Sequence, residues 1–210
     1  NGESEKILGG FVNDAGRENV IVSTKFTPQM AGIYDNSVEK MCEASLARMD
    51  MDYFDIYWIH NPVGAPEYTK QLISLLQNGK VKSVGVSNHN LAQIKEADEI
   101  LKAAGYRVSA VQNHYSLMNR SSEESGILDY CKENGIVFYG YMTLEQGALS
   151  GKYDKENPFP DGSARANVFN PLLEKIEVIT AELKKVAAVH GVSPAQIATA
   201  YAVNKGVLPI

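Results

Sequence analysis

The chain has 210 residues, 44% hydrophobic and 21% charged, the balance of an ordinary globular protein. A formal charge of -5 with no dense Lys/Arg run argues against a nucleic-acid partner, and no apolar stretch reaches the roughly 18 residues a membrane helix needs. The two cysteines, Cys42 and Cys131, occupy apolar positions of helix-like segments, which points to buried thiols in a reducing, cytoplasmic setting rather than to a disulfide framework.

Strand-like and helix-like runs alternate along the chain, the signature of βαβ units and a parallel sheet. The first apolar run, Asn19–Phe26, closes on Lys25. Asn36, with Glu39 three residues on, predicts a helix start; Val38, Met41, Cys42, Ser45 and Met49 then share one face. The second run, Phe54–His60, closes on His60, and the helix-like Glu67–Asn78 carries Leu72, Ile73, Leu75 and Leu76 before stopping at Gly79. The third run, Val81–Asn88, ends on Ser87 and Asn88. Leu91, Ile94, Ala97 and Leu101 form the stripe that follows, which stops at Gly105. The fourth run, Ser109–Tyr115, carries Gln112, and a helix is expected over Ser122–Asn134, stopping at Gly135. Glycine just past a helix end supplies the left-handed residue that closes it. The fifth run, Gly135–Met142, delivers Tyr141.

Beyond Met142 the rhythm changes. Leu149–Pro171 is rich in Gly, Pro, Asn and Asp without a sustained period, and loops of that length in compact domains are usually functional or disordered. Leu172–His190 reads as a long amphipathic helix ending at Gly191. Ser193-Pro194-Ala195-Gln196 is a capping box that opens a last helix to about Asn204, and Gly206–Ile210 begins a sixth strand.

With no linker, charge block or low-complexity tract, residues 1–210 read as one domain. A right-handed series of βα units closes into a barrel or spreads into an open sheet. Different polar groups at the ends of consecutive strands favour the barrel, because an open sheet gathers its site at one switch point. The expected fold class is α/β, a parallel (β/α)8 TIM barrel with six strands in this chain. The opening on Asn1 and the close on Ile210 inside an apolar run lead to the expectation that both ends are cut.

Taken singly, each candidate has a plain reading. Lys25 could snorkel to solvent, His60 could be a satisfied structural histidine, Ser87-Asn88 could cap the helix beginning at Leu91, and Tyr141 could be a core aromatic. Together they read as an active site. His89 and His114 alternate away from the functional positions and read as structural, as do Trp58 and Tyr115. His190 ends a helix, where positive charge suits the dipole. The four histidines show no metal-ligand spacing.

Five stretches in order carry a resemblance: Ser23-Thr24-Lys25, Ile59-His60-Asn61-Pro62, Gly85-Val86-Ser87-Asn88, Gln112-Asn113-His114-Tyr115 and Gly147–Tyr153 (GALSGKY). At βα spacing they resemble the aldo-keto reductase superfamily nearly end to end. The resemblance implies a (β/α)8 barrel that binds a nicotinamide cofactor, usually NADP with NAD as the alternative, and reduces a small-molecule carbonyl substrate. It also implies a proton from a Tyr hydroxyl whose pKa is lowered by a Lys paired with an Asp, and a His that orients the carbonyl. On that reading Lys25 and His60 are catalytic. Ser87, Asn88 and Gln112 hold the nicotinamide carboxamide, and Tyr141 stacks on the nicotinamide. Met142, Thr143 and Leu144 follow along the cofactor, Lys152 approaches the pyrophosphate, and Arg165 reaches the phosphate end. The loop over 149–171 closes over the cofactor as a lid.

The resemblance also puts the family's Tyr and Asp just ahead of Asn1, and its adenosine-phosphate segment beyond Ile210. Met142-Thr143 stands where many members have Ser-Pro, and His89 where many have an aromatic. A second reading, fed by the Gly147–Tyr153 stretch, is an NADPH-binding regulatory module like the β subunits of potassium channels. A third is a truncated remnant without activity.

Overall fold

The computed structural model describes residues 2–31 and 36–210. They form two compact units, residues 1–112 with 133–136, and residues 113–132 with 137–210.

The first unit alternates helices and strands: α1 (Glu3–Ala15), β1 (Ser23–Phe26), α2 (Ser37–Met49), β2 (Phe54–Ile59), α3 (Ala65–Gln77), β3 (Val81–Ser87), α4 (Leu91–Lys102) and β4 (Val108–His114). The unit boundary falls inside β4, after Gln112. The strands pair in parallel and in chain order, with Lys25 opposite Trp58, Trp58 opposite Gly85 and Gly85 opposite Ala110. Two residues on, Ser87 lies opposite Gln112. Side chains alternate faces along a strand, so Lys25, Trp58, His60, Gly85, Ser87, Ala110 and Gln112 share one face.

That face is set by a close approach. Trp58 is 1% exposed, and a Cβ on Gly85 would overlap its ring and come within 3.0 Å of the Ala110 carbonyl oxygen. The other face carries Phe26, Tyr57, Ile59, Val84, Val86 and Val111, all buried. Both faces being covered explains why these strands read as continuous apolar runs. The covering helices bury Val38, Cys42, Leu46 and Met49 from α2, Leu72 and Leu75 from α3, and Ile94, Ala97 and Leu101 from α4, at about 1.5–3 kcal/mol for each large aliphatic side chain. Gly79, Gly105 and Gly135 take φ of 71°, 83° and 66° at the expected helix stops.

Three local expectations change. The first strand begins at Ser23 rather than Asn19, because side chains take the backbone groups before it. Arg17 donates to the Val20 and Tyr53 carbonyls at 2.9 and 3.1 Å, and Val22 N–H donates to Asp55 Oδ2 at 2.8 Å. Asn36 precedes α2 without a side-chain capping bond. The cap of α4 is Asn90, whose side chain accepts from Gln93 N–H at 2.9 Å while Gln93 Oε1 accepts from Asn90 N–H at 2.9 Å. Ser87 and Asn88 are therefore not the cap of that helix. Helix α1, outside the expected elements, carries Ile7, Leu8, Phe11 and Val12 at helical spacing; Gly9 lets it approach α2, since a Cβ there would lie 2.6 Å from the Met49 oxygen.

The second unit holds α5 (Ser121–Glu124), α6 (Ile127–Glu133), β5 (Val137–Tyr141), α7 (Ala164–Phe169), α8 (Leu173–His190), α9 (Pro194–Asn204) and β6 (Leu208–Pro209). Strands β5 and β6 pair in parallel, Tyr139 opposite Leu208 and Gly140 opposite Pro209. The helix expected over Ser122–Asn134 is two short ones, interrupted at Gly126 with φ 79°. Residues 149–171 are ordered where no period was visible. Phe159 is 0% exposed and clusters with Ala148, Ala166, Phe169, Leu173 and Ile176. The Asn170 side chain bonds both the N–H and the carbonyl of Phe159, at 3.0 and 3.1 Å, and Ser163 caps α7 by accepting from Ala166 N–H at 3.0 Å. Isolated aromatics and side-chain-to-backbone bonds build this segment, and neither leaves a periodic trace. The capping box at Ser193 and Gln196 forms as expected. Both cysteines are free and buried, and burial pushes each thiol up to about 12.

Replacing Gly85 by Ala should destabilise the protein by about 1–3 kcal/mol through overpacking against Trp58. Adding Trp58→Leu should recover part of that loss in a thermal or urea melt. A Gly85→Ala variant that melts with the parent would contradict the packing described.

Candidate active site

The parallel register of the first unit delivers five of the expected residues to the ends of adjacent strands. His60 follows β2, and its N–H donates to the Phe26 carbonyl at 2.9 Å. Its Nδ1 lies 3.1 Å from Thr27 Oγ1, which leaves Nε2 as the nitrogen available to a ligand. Asn88 follows β3 in the left-handed conformation, φ 61°, which Asn tolerates better than most residues. The turn lets Asn88 tie three strand ends together. Its N–H donates to the Gln112 carbonyl at 3.1 Å, and its Nδ2 donates to the His60 carbonyl at 2.9 Å and to Ser87 Oγ at 3.2 Å. Asn61 joins the loops after β1 and β2 by donating to Gln29 Oε1 at 2.7 Å.

The electrostatics of this edge are those of a cation beside a neutral ring. Burial lowers the Lys25 ammonium below its ordinary pKa. Among the described residues, no carboxylate pairs with it. Partial desolvation, and then the Lys25 charge, hold the His60 imidazole below its ordinary value, so the ring is uncharged at neutral pH. Gln112 is 7% exposed, yet among the described residues nothing bonds its side-chain amide. A carboxamide at the open end of a nearly buried residue, without a protein partner among the described residues and next to the Ser87 hydroxyl, offers donors and acceptors to a ligand carrying both.

The second unit holds the other expected residues. Tyr141 ends β5 half-buried, with its ring stacked on His114 at 5.4 Å and 19°. Burial raises its phenol pKa, the Glu145 carboxylate adds to the rise, and a hydrogen bond from the His114 backbone opposes it. Met142 follows in the left-handed region, φ 59°. Thr143 is buried, and Leu144 packs against Leu149, Leu183 and Ala198. Lys152 Nζ lies 5.5 Å from the Tyr153 ring and Arg165 5.6 Å from the Phe159 ring. Those two rings stack at 3.8 Å, so the two basic side chains flank one aromatic pair. Arg165 also donates to the Gln146 carbonyl at 3.4 Å.

The residues that sequence reasoning passed over are Thr27, in phase with Lys25 on the same face, and Glu145, whose carboxylate meets His114 and Ser116. Among the described residues, no group of His, Cys, Asp or Glu is placed to hold a metal ion, and no helix is long and apolar enough to cross a membrane.

Because Lys25 depresses the His60 pKa, Lys25→Met should raise it towards, though not fully to, the ordinary value, burial being the larger cause. An NMR titration of the His60 ring protons measures this directly; an unchanged or lowered pKa would mean that the two groups do not interact.

The aldo/keto reductase family model matches residues 1–210. The chain is 30% identical over 221 residues to the chloroplastic pyridoxal reductase of Arabidopsis thaliana, covering 100% of this chain and 60% of that protein. It is 29% identical over 231 residues to the Schizosaccharomyces pombe aldo-keto reductase yakc, whose name carries NADP(+), covering 100% and 66%. Among solved structures, the glycerol dehydrogenase of Gluconobacter oxydans superposes with a TM-score of 0.84 at 25% identity, covering 100% of this chain and 67% of that one. The aldo/keto reductase of Klebsiella pneumoniae, solved with NADP and acetate, gives 0.73 at 24%, covering 100% and 65%. The chain thus spans 60 to 66% of the length of these two curated relatives. It belongs to the aldo/keto reductase family, and its parallel strands and alternating helices are those of the family's (β/α)8 barrel.

Proposed function

We propose that the protein reduces an aldehyde or ketone to the alcohol with NADPH, NADH being the alternative donor. The observation that carries the reading is the side-chain amide of the nearly buried Gln112, which has no protein partner among the described residues and is set beside Ser87 Oγ and Asn88 at the ends of β3 and β4. A nicotinamide carboxamide has one acceptor oxygen and one donor nitrogen, and the Gln112 amide with the Ser87 hydroxyl, which Asn88 holds in place, matches both. When bound, the nicotinamide supplies the hydride. Ser87, Asn88 and Gln112 orient it by its carboxamide, Tyr141 backs its ring, and Lys152 and Arg165 supply positive charge for its phosphates. The NADP(+) in the name of the yeast relative supports the phosphorylated cofactor.

His60 and Lys25 handle the proton side of the reaction. An uncharged imidazole with Nδ1 held by Thr27 presents Nε2 to the carbonyl oxygen, where a hydrogen bond strengthens as negative charge develops. The Lys25 ammonium, partly buried and without a carboxylate partner among the described residues, favours the phenolate of the Tyr expected ahead of Asn1 and so lowers the pKa of the proton donor. The substrate is a small carbonyl compound; pyridoxal, the namesake substrate of the Arabidopsis relative, is the first to try.

The test is NADPH consumption by the full-length protein with a panel of aldehydes and ketones. The parent should turn over repeatedly, and Lys25→Met or His60→Ala should each lose about 100-fold or more in kcat while retaining the parent's circular dichroism. Near-parental kcat in either variant would contradict the assigned roles. Tight NADPH binding without turnover would point instead to a cofactor-binding regulatory module.

A further inference from the structure

Glu145 is an unusual residue for its place. It is 5% exposed, and its backbone lies in the left-handed region, φ 47°. Met142 and Gln146 are left-handed as well, φ 59° and 52°. Three such non-glycine residues within five positions persist only where surrounding contacts over-determine them. Here the backbone contacts are Glu145 N–H to the Met142 carbonyl at 2.8 Å and Gly147 N–H to the Leu144 carbonyl at 2.9 Å. The side-chain contact is the Glu145 carboxylate itself, whose Oε1 accepts from Ser116 Oγ and lies 2.7 Å from His114 Nε2.

The imidazole between Glu145 and Tyr141 has a defined state. His114 Nδ1 lies 2.9 Å from Asn119 Nδ2, an amide donor, so Nδ1 accepts and Nε2–H donates to the carboxylate. Both ring nitrogens are held, and the plane of the ring is fixed with them. That plane is the one stacked on Tyr141 at 5.4 Å and 19°. The chain of contacts therefore runs from Glu145 through His114 to the aromatic ring at the end of β5.

We propose that Glu145 is a positioning residue for the nicotinamide cofactor, setting the plane of the Tyr141 ring through His114 and fixing the turn from Met142 to Gly147. The proposal rests on the reading of Tyr141 as the aromatic that backs the nicotinamide. A carboxylate that merely stabilised the fold would change the melting temperature and leave cofactor affinity alone. A positioning carboxylate changes affinity, and Gln, which keeps an acceptor oxygen for Ser116 and His114, should replace it.

The experiment is a fluorescence titration of NADPH into the full-length protein, alongside melts without cofactor. Glu145→Ala should weaken NADPH binding about tenfold, with Glu145→Gln within about threefold of the parent, the scale expected when a supporting group shifts a binding group. His114→Phe, which keeps an aromatic against Tyr141 but removes the link, should show the same loss as Glu145→Ala. The double variant should be no weaker than the weaker single one, because both act along one line. Parental affinity in Glu145→Ala and His114→Phe would overturn the proposal, and losses that add fully in the double variant would overturn the route through His114. Should Glu145→Ala not fold, His114→Phe decides by the same criterion. A parent that binds neither NADPH nor NADH overturns the reductase reading itself, which keeps the two failures distinct; a parent that binds only NADH is titrated with NADH under the same criteria.

Discussion

The register of the parallel ladder is the constraint on which the first unit depends. Side chains alternate faces, so a slip of one residue between β2 and β3 would move Ser87 off the face that carries Lys25 and His60. Trp58 guards against that slip. Its ring fills the space where Gly85 has no side chain, and no other pairing brings a glycine opposite it. The large ring below and the polar groups above therefore come from one packing decision, made two residues before the functional ends of the strands.

What the ladder delivers, Asn88 locks. One residue in a left-handed turn donates to the backbone of both neighbouring strands and to Ser87, so the Ser87 hydroxyl and the Gln112 backbone are held by bonds that are themselves part of the edge, while the Gln112 side-chain amide is left to a ligand. Lys25 and His60 lie beside this lock with complementary properties. Partial burial, and then the neighbouring cation, keep the ring neutral, and a neutral ring is the form that donates one hydrogen bond without bringing a second charge. The second unit uses different means. There the contacts are aromatic stacking, two cations at the ends of one ring pair, and a buried carboxylate that holds an imidazole.

Much of the first unit was legible in the sequence because its signals are local and periodic. Apolar runs ending in Lys25, His60, Ser87 and Gln112 became strands, and glycines marked the helix ends. The choice between a helix cap and a ligand group at Ser87-Asn88 could not be made from spacing; Asn90 and Gln93, only two residues further on, form the cap. Helix α1 escaped although Ile7, Leu8, Phe11 and Val12 fall at helical spacing; the Gly9-Gly10 pair between them reads as a turn, yet Gly9 is what allows the helix to approach Met49. In the second unit, the order in residues 149–171 rests on Phe159 and Asn170, eleven positions apart, and no periodicity can show such a pair. His114 was read as structural from its phase in β4. Its contacts with Glu145 and Tyr141 give that reading a purpose that the strand pattern alone does not contain. The family itself was readable from five short stretches, and the comparisons placed the whole chain within it.

The most direct test of the account is a crystal structure of the full-length protein with NADP bound. The account expects the nicotinamide carboxamide within hydrogen-bond distance of Ser87 Oγ, the Asn88 side chain and the Gln112 amide, with its ring against Tyr141. A carboxamide bound elsewhere, with the Gln112 amide turned to solvent or to another protein group, would contradict it.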